Sequence, residues 1–312
     1  MESAQSLKRR MKSVQNIGQI TKAMELVEAT KMRRSQERAL HSRPYAYAAL
    51  ELLGMLSAMK DVAMPELLRE RPIVRTAFLI MTSDRGLAGS FNSGVFRAFE
   101  RFAKEQRIDP ADASKYSFIT VGQKAKSYCE RRGFSISASF VRMGDLATRT
   151  ESAPIADALI NGYLAHEFDK VTAFFTTFVT ALRQDAVQRD FLPVTYASIK
   201  ESIEDTIPRA GRYAAYARAE TFLKGGRKDH LIEPSPEEVL AELAPALLTT
   251  RVYHAILEAN ASEHSARRVA MKNASDNAAD LSESLTITYN KSRQAAITNQ
   301  IIEVTSGAQA LE

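Results

Sequence analysis

Residues 246–306 read ALLTTRVYHAILEANASEHSARRVAMKNASDNAADLSESLTITYNKSRQAAITNQIIEVTS. These 61 consecutive residues contain neither glycine nor proline, the two poorest helix formers. At a rise of ~1.5 Å per residue the stretch makes one helix roughly 90 Å long. Globular helices usually hold about 8–20 residues. The first 43 residues repeat the pattern, with one glycine (Gly18) and no proline. All ten prolines lie between Pro44 and Pro245, and all fourteen phenylalanines between Phe78 and Phe222. Both ends of the chain therefore read as rod, and the middle as a globular domain.

The middle alternates strands and helices. Thr76–Met81, Tyr116–Val121, Ser135–Phe140 and Lys170–Val179 read as strands, with helices expected at 92–106, 124–132 and 155–168. Such alternation predicts a largely parallel sheet with helices on its faces. A further strand, Val187–Tyr196, could close an antiparallel edge hairpin. The fold class is then α/β plus a long coiled coil: an antiparallel coiled coil of N- and C-terminal helices around a central Rossmann-like α/β domain. The expected parts are residues 1–57, 74–233 and 234–312. Gly225–Lys228 reads as a flexible basic loop.

The first helix carries Leu7, Met11, Val14, Ile17, Ile20, Met24 and Val27 at steps of three and four, close to a coiled-coil seam. Pro44 could bend it. The last helix starts at an N-cap, Ser235, followed by Pro236 and the acidic pair Glu237 and Glu238. Pro245 should kink it. Its expected seam is Ala266, Ala270, Ala274, Ala278, Leu281 and Leu285, where alanines let two axes approach closely. Residues 236–312 outnumber residues 1–57 by about 20, so on the order of 30 Å of helix should protrude alone. That overhang carries Ile297, Ile301, Val304, Ala308 and Leu311 at steps of four and three. An apolar stripe without a partner in its own chain needs one elsewhere: a second copy, or a hydrophobic socket in another protein.

Composition narrows the functional classes. The chain is 45% hydrophobic and 25% charged, ordinary for a soluble protein, with no run of 18 apolar residues. One cysteine, Cys129, rules out an internal disulfide and reads as a buried, inert thiol of a cytosolic protein. The five histidines lack metal-ligand spacing. The Arg- and Ser-rich start could pass for a presequence, but its helical pattern begins at once and reads as mature chain. The net charge of +5 matches the first 40 residues, which hold nine basic and four acidic groups. A basic helix suits an acidic protein surface, nucleic acid or anionic lipid. No aromatic precedes Tyr45, which argues against nucleic acid. Ser83–Ser90 (SDRGLAGS) sits where phosphate loops occur, but it is neither GxxxxGK[ST] nor a dinucleotide fingerprint. It reads as a strand-to-helix turn with a local Asp84–Arg85 ion pair. No catalytic, cofactor or metal motif stands out.

Longer strings carry a resemblance. Val14-Gln15-Asn16-Ile17, Ile20 through Val27 (ITKAMELV) and Thr30 through Gln36 (TKMRRSQ) resemble the N-terminal helix of the F-type ATP synthase gamma subunit. Thr82–Gly89 (TSDRGLAG) resembles the loop after the first strand of its α/β domain. Ser262-Glu263-His264, Arg267–Lys272, Ala274–Asn277 and Tyr289–Thr298, ending at Gly307-Ala308, are similar to its C-terminal helix. The matches are ordered and span the chain.

The resemblance implies a non-catalytic central rotor shaft, without cofactor. One copy would pass through three alpha–beta pairs and rest on an epsilon subunit and a membrane ring of c subunits. Proton flow would turn ring and shaft, driving the beta-subunit sites through different nucleotide affinities. The chain would lie on the cytoplasmic face of a bacterial plasma membrane and touch the membrane only through the ring. Lys22, Met24 and Glu25 would meet an acidic lever segment of the beta subunits. Arg293, Gln294 and Thr298 would meet a beta catch loop, with Arg267 and Arg268 between these levels. Ile297, Ile301, Val304, Ala308 and Leu311 would form the tip in its bearing. Gln300 stands where the family often has glutamate, Ala88 replaces a frequent cysteine, and the paired-cysteine insertion of chloroplast relatives is missing. Two other classes stay open on the residues: a self-associating coiled-coil scaffold using the 297–311 stripe, and a small-molecule enzyme at Ser83–Ser90.

Overall fold

A computed structural model describes residues 4–57, 59, 62–144, 147–195, 198 and 232–309. The Gly225–Lys228 loop and Leu311 lie outside them. Helix α1 spans Ala4–Ser57 and α5 spans Pro236–Gln309, helical through Pro44 and Pro245 respectively. Between them come a 3-10 turn (Glu66–Leu68), β1 (Thr76–Met81), α2 (Phe91–Glu105), β2 (Tyr116–Val121), α3 (Gln123–Arg132), β3 (Ile136–Phe140), α4 (Arg149–Leu164), β4 (Lys170–Phe178) and β5 (Gln184–Leu192). Contacts divide the chain into two compact units: Met1–Glu28 with Arg267–Glu312, and Ala29–Ala266.

The larger unit is built on a five-stranded sheet in the order β3-β2-β1-β4-β5. β1 through β4 run parallel, and β5 returns antiparallel to β4. β1 (TAFLIM) is apolar and buried from Ala77 to Met81 because helices cover both its faces. Phe78 and Ile80 point to one side, against Val95, Phe99 and Ala103 of α2 and Ala125 and Cys129 of α3. The α2 residues repeat at every fourth position, which keeps them on one helix face. Phe78 lies at the centre of an aromatic cluster with Phe99, Phe118 and Phe174, ring centres 5.4–6.2 Å away. Ala77, Leu79 and Met81 point to the other side. They share a core with Ile155 and Leu159 of α4, Leu53 and Leu56 of α1, and Leu248 and Val252 of α5.

Four element boundaries differ from the sequence reading by three residues or more. α4 starts at Arg149, before Pro154, because Thr148 and Glu151 form a reciprocal capping box that holds the first turn. It ends at Leu164, short of Phe168. β5 begins at Gln184, paired to Phe178, and stops at Leu192 instead of Tyr196, since Pro193 has no N–H for the ladder. The N-cap at Ser235 is as read: its Oγ accepts from the Glu238 amide at 3.2 Å.

Candidate functional site

In the smaller unit, residues 4–28 of α1 pair antiparallel with α5. Met11 meets Thr286, Gly18 meets Ala278, and Glu28 meets Arg267, so one helix rises as the other falls. Along residues 4–28 of α1 the half-buried Met24 stands off a run of buried and half-buried positions at Ala4, Leu7, Met11, Val14, Gly18, Thr21, Glu25 and Glu28. Their steps alternate four and three without a break, the signature of a heptad seam. Along α5 the matching positions are Arg267, Met271, Ala274, Ala278, Ser282, Leu285, Tyr289 and Ser292.

This corrects the seam read from the sequence. After Val14 that reading followed the large apolar residues Ile17, Ile20, Met24 and Val27, each one position before the true seam. Ile17, Ile20 and Val27 are 51%, 59% and 51% exposed, and Met24 is half-buried. The reason is space. A Cβ added at Gly18 would stand 3.3 Å from the Ala278 Cβ, so the axes are too close there for branched side chains. On α5, Leu281 is exposed and Leu285 buried, while Ala266 joins a cluster with Ala88, Phe91 and Ala259 in the larger unit. The apolar cluster of the seam lies toward one end, Leu7, Val14, Ala278 and Leu285 with Met11 and Tyr289, and Met271 is buried farther along α5. Farther along α1 the seam becomes small and polar, ending at the buried Glu28–Arg267 ion pair, 3.5 Å apart.

The residues singled out from the sequence fall into two groups. Glu25 and Arg267 are only 7% and 6% exposed, turned into the helix pair. Glu25 accepts from the Lys22 ammonium at 2.8 Å, and this hydrogen bond holds Lys22 above the usual lysine range. Lys22, Arg293, Gln294 and Thr298 are exposed, and Arg268 is half-buried. The Thr298 hydroxyl donates back to the Gln294 carbonyl at 2.9 Å. From Arg293 to Ser306 every residue of α5 is exposed except the half-buried Ala295. There Ile297, Ile301, Ile302 and Val304 are 48–74% exposed, and Ala308 lies in the same helix. Sequence reasoning missed Glu28 and Gly18 as seam residues; strict four-three counting from Leu7 would have found both.

The Ser83–Ser90 loop spends its polar groups internally. Asp84 accepts from the Gln123 amide at 2.9 Å, capping α3, and does not pair with Arg85. The Thr82 hydroxyl accepts from the Ala125 amide, and Asn92 accepts from the Ser83 amide. Gly122, at φ +89°, allows the close approach, since a Cβ there would overlap the Thr82 carbonyl. The loop is a joint between β1, β2 and α3. No helix among the described residues is long and apolar enough to cross a membrane.

A family model described as ATP synthase matches residues 3–311. The ATP synthase gamma chain of Desulforamulus reducens is 39% identical over 312 residues, covering all of both chains. That of Herpetosiphon aurantiacus is 39% identical over 319 residues, covering 100% of this chain and 99% of the relative. Among solved structures, a central stalk/c-ring chain of Tetrahymena thermophila mitochondrial ATP synthase aligns with a TM-score of 0.55 at 25% identity. It covers 82% of this chain and 99% of that one. A chain of the Euglena gracilis mitochondrial enzyme in its OSCP/F1/c-ring assembly shares the fold, with a TM-score of 0.62 at 16% identity over 99% and 94% of the two chains.

Proposed function

The chain belongs to the ATP synthase gamma-chain family and is a central-stalk rotor subunit, and from that premise we propose how its surfaces work. It is the non-catalytic shaft through three alpha–beta pairs. Its α/β unit bears on an epsilon subunit and a c-ring at the cytoplasmic face of a bacterial inner membrane. Proton-driven rotation of the ring turns the shaft. The shaft offers each beta subunit a different face in turn, and each beta site changes its nucleotide affinity accordingly. That is conformational coupling between a rotor and its surroundings.

The observation that carries this reading is where the apolar surface lies. From Gly18 to Glu28 the inward positions of α1 are small or polar, Gly18, Thr21, Glu25 and Glu28, and Ile17, Ile20 and Val27 lie outside, beside the exposed Lys22. A self-sufficient coiled coil does the reverse. A surface of aliphatic residues next to cations suits acidic, partly apolar beta segments that grip and release. In this scheme Lys22, Met24, Arg268, Arg293, Gln294 and Thr298 touch the beta subunits. Glu25 and Arg267 support that surface from within, Glu25 by holding Lys22. Ile297, Ile301, Val304, Ala308 and Leu311 turn in the bearing.

Reconstitution with cognate alpha and beta subunits tests the proposal. One copy per three pairs, with ATP hydrolysis that depends on it and none by the chain alone, is the expected result. The exposed 297–304 stripe also favours a second reading, self-association. In that case the isolated chain dimerises with concentration, Ile301→Asp breaks the dimer, and no complex with alpha and beta forms.

A further inference from the structure

The segment that joins α1 to β1 is fastened by a cluster centred on Arg71. The Nε of Arg71 lies 2.7 Å from Asp169 Oδ1, and Nη1 lies 2.9 Å from Glu66 Oε1. Nη2 donates to the carbonyls of Phe168 and Tyr163 at 2.7 and 2.9 Å. The guanidinium sits 4.1 Å over the Tyr163 ring, whose hydroxyl donates back to the Arg69 carbonyl at 3.0 Å. The second oxygen of Asp169 accepts from the Val74 and Arg75 amides at 2.9 and 3.0 Å. One guanidinium and one carboxylate thus tie residues 66–75 to the end of α4 and the entry of β4. The Arg71 side chain is 15% exposed, so water competes weakly for these bonds.

We propose that Arg71 is a positioning residue for torque transfer, holding the join between α1 and the sheet against slip; the inference rests on the rotor reading. The last turns of α1 already contact the sheet's core through Leu53 and Leu56, and Leu67 of the joining segment lies in the same core. Such apolar contact resists separation but is non-directional, and buried faces can slide past one another at little cost. A shaft is loaded sideways. Charge-assisted, forked hydrogen bonds have direction, and the planar guanidinium holds several at fixed angles. The Nη2 hydrogen bonds and the Asp169 ion pair cross from the joining segment to the end of α4 and the loop before β4, while the Glu66 bond stays within the segment and braces its 3-10 turn.

The test compares wild type, Arg71→Met and Arg71→Lys in the complete complex. Lysine keeps the charge and offers a point contact in place of the fork. Hydrolysis is measured in the soluble alpha–beta complex, where no ring loads the shaft. ATP-driven acidification is measured in liposomes holding the full assembly. For both variants we expect unloaded hydrolysis within about two-fold of wild type and protons pumped per ATP lower by about five-fold or more. Two results overturn the proposal. One is wild-type pumping per ATP in the Lys variant. The other is hydrolysis, pumping and Tm of both variants falling in parallel, which marks a merely structural residue. If wild-type chain fails to assemble with alpha and beta, the rotor reading falls first and takes the inference with it.

Discussion

Asp169 shows how one residue's chemistry becomes a property of the fold. Burial alone would raise its carboxyl, but the Arg75 and Val74 amides and the Arg71 guanidinium outweigh that and hold it below the usual aspartate range. A carboxylate depressed in the folded state stabilises above its unfolded pKa of about 3.9, and that contribution fades as pH falls through the folded value. Thermal melts from pH 6 to pH 3 should therefore show wild type losing Tm more steeply than Asp169→Asn below about pH 4. Parallel curves would mean that Asp169 titrates alike in both states. Cys129 moves the other way: burial, with a smaller push from Glu130, raises its thiol to about 12. It is fully buried between α3 and the sheet. The folded chain should leave a thiol reagent at pH 8 unreacted, and denaturant should release one thiol per chain. Gly122→Ala should cost on the order of 3 kcal/mol or more, because its Cβ would occupy the place of the Thr82 carbonyl at a left-handed φ. Denaturant midpoints measure that loss.

At the scale of elements, the strands and helix ends were legible because their signals are local. The strand bounds at Tyr116–Val121 were read to the residue, and the Ser235 cap follows from one turn of sequence. The seam was not legible in the same way. Hydrophobicity points to Ile17 and Ile20, whereas the structure turns Gly18 and Thr21 inward, since what a close-packed seam selects is small volume. The Arg71 cluster was invisible for another reason: apart from Glu66 its partners lie more than 90 residues away, and no spacing rule relates them. Glu28 and Arg267 are likewise 239 positions apart, and their pairing makes a test of the seam. Both side chains are under 10% exposed. Removing one partner leaves the other charge buried, so Arg267→Met should destabilise the helix pair by about 3–5 kcal/mol. Glu28→Leu with Arg267→Met should recover most of it, because apolar replacement of both charges is often neutral. A double-mutant cycle on the helical signal at 222 nm checks this, and additive losses would show that the two charges stand apart in solution.

The whole molecule divides its stability unevenly. The larger unit holds two clusters of fully buried side chains on either face of its sheet. Among the described residues the smaller unit buries five apolar side chains: Leu7, Val14, Ala278 and Leu285 cluster toward one end of the helix pair, and Met271 lies farther along. Each fully buried leucine or valine contributes about 1.5–3 kcal/mol, so that cluster supplies little against the ordering entropy of the helices around it. Exposed Ile17, Ile20, Val27, Ile297 and Ile301 would add to it only if something outside the chain covered them. Hydrogen exchange should separate these regimes. In the isolated chain, amides of β1, β2 and β4 should be the slowest, and those of residues 4–28 and 267–309 should exchange through local opening orders of magnitude sooner. In complex with alpha and beta subunits the second set should slow by a factor of ten or more, since partners that bind only the helical form pull the equilibrium toward it. Helix amides as slow as the sheet in the isolated chain would mean that the pair is stable unaided. Its exposed aliphatic residues would then have to be explained by recognition alone, with no share in holding the shaft together.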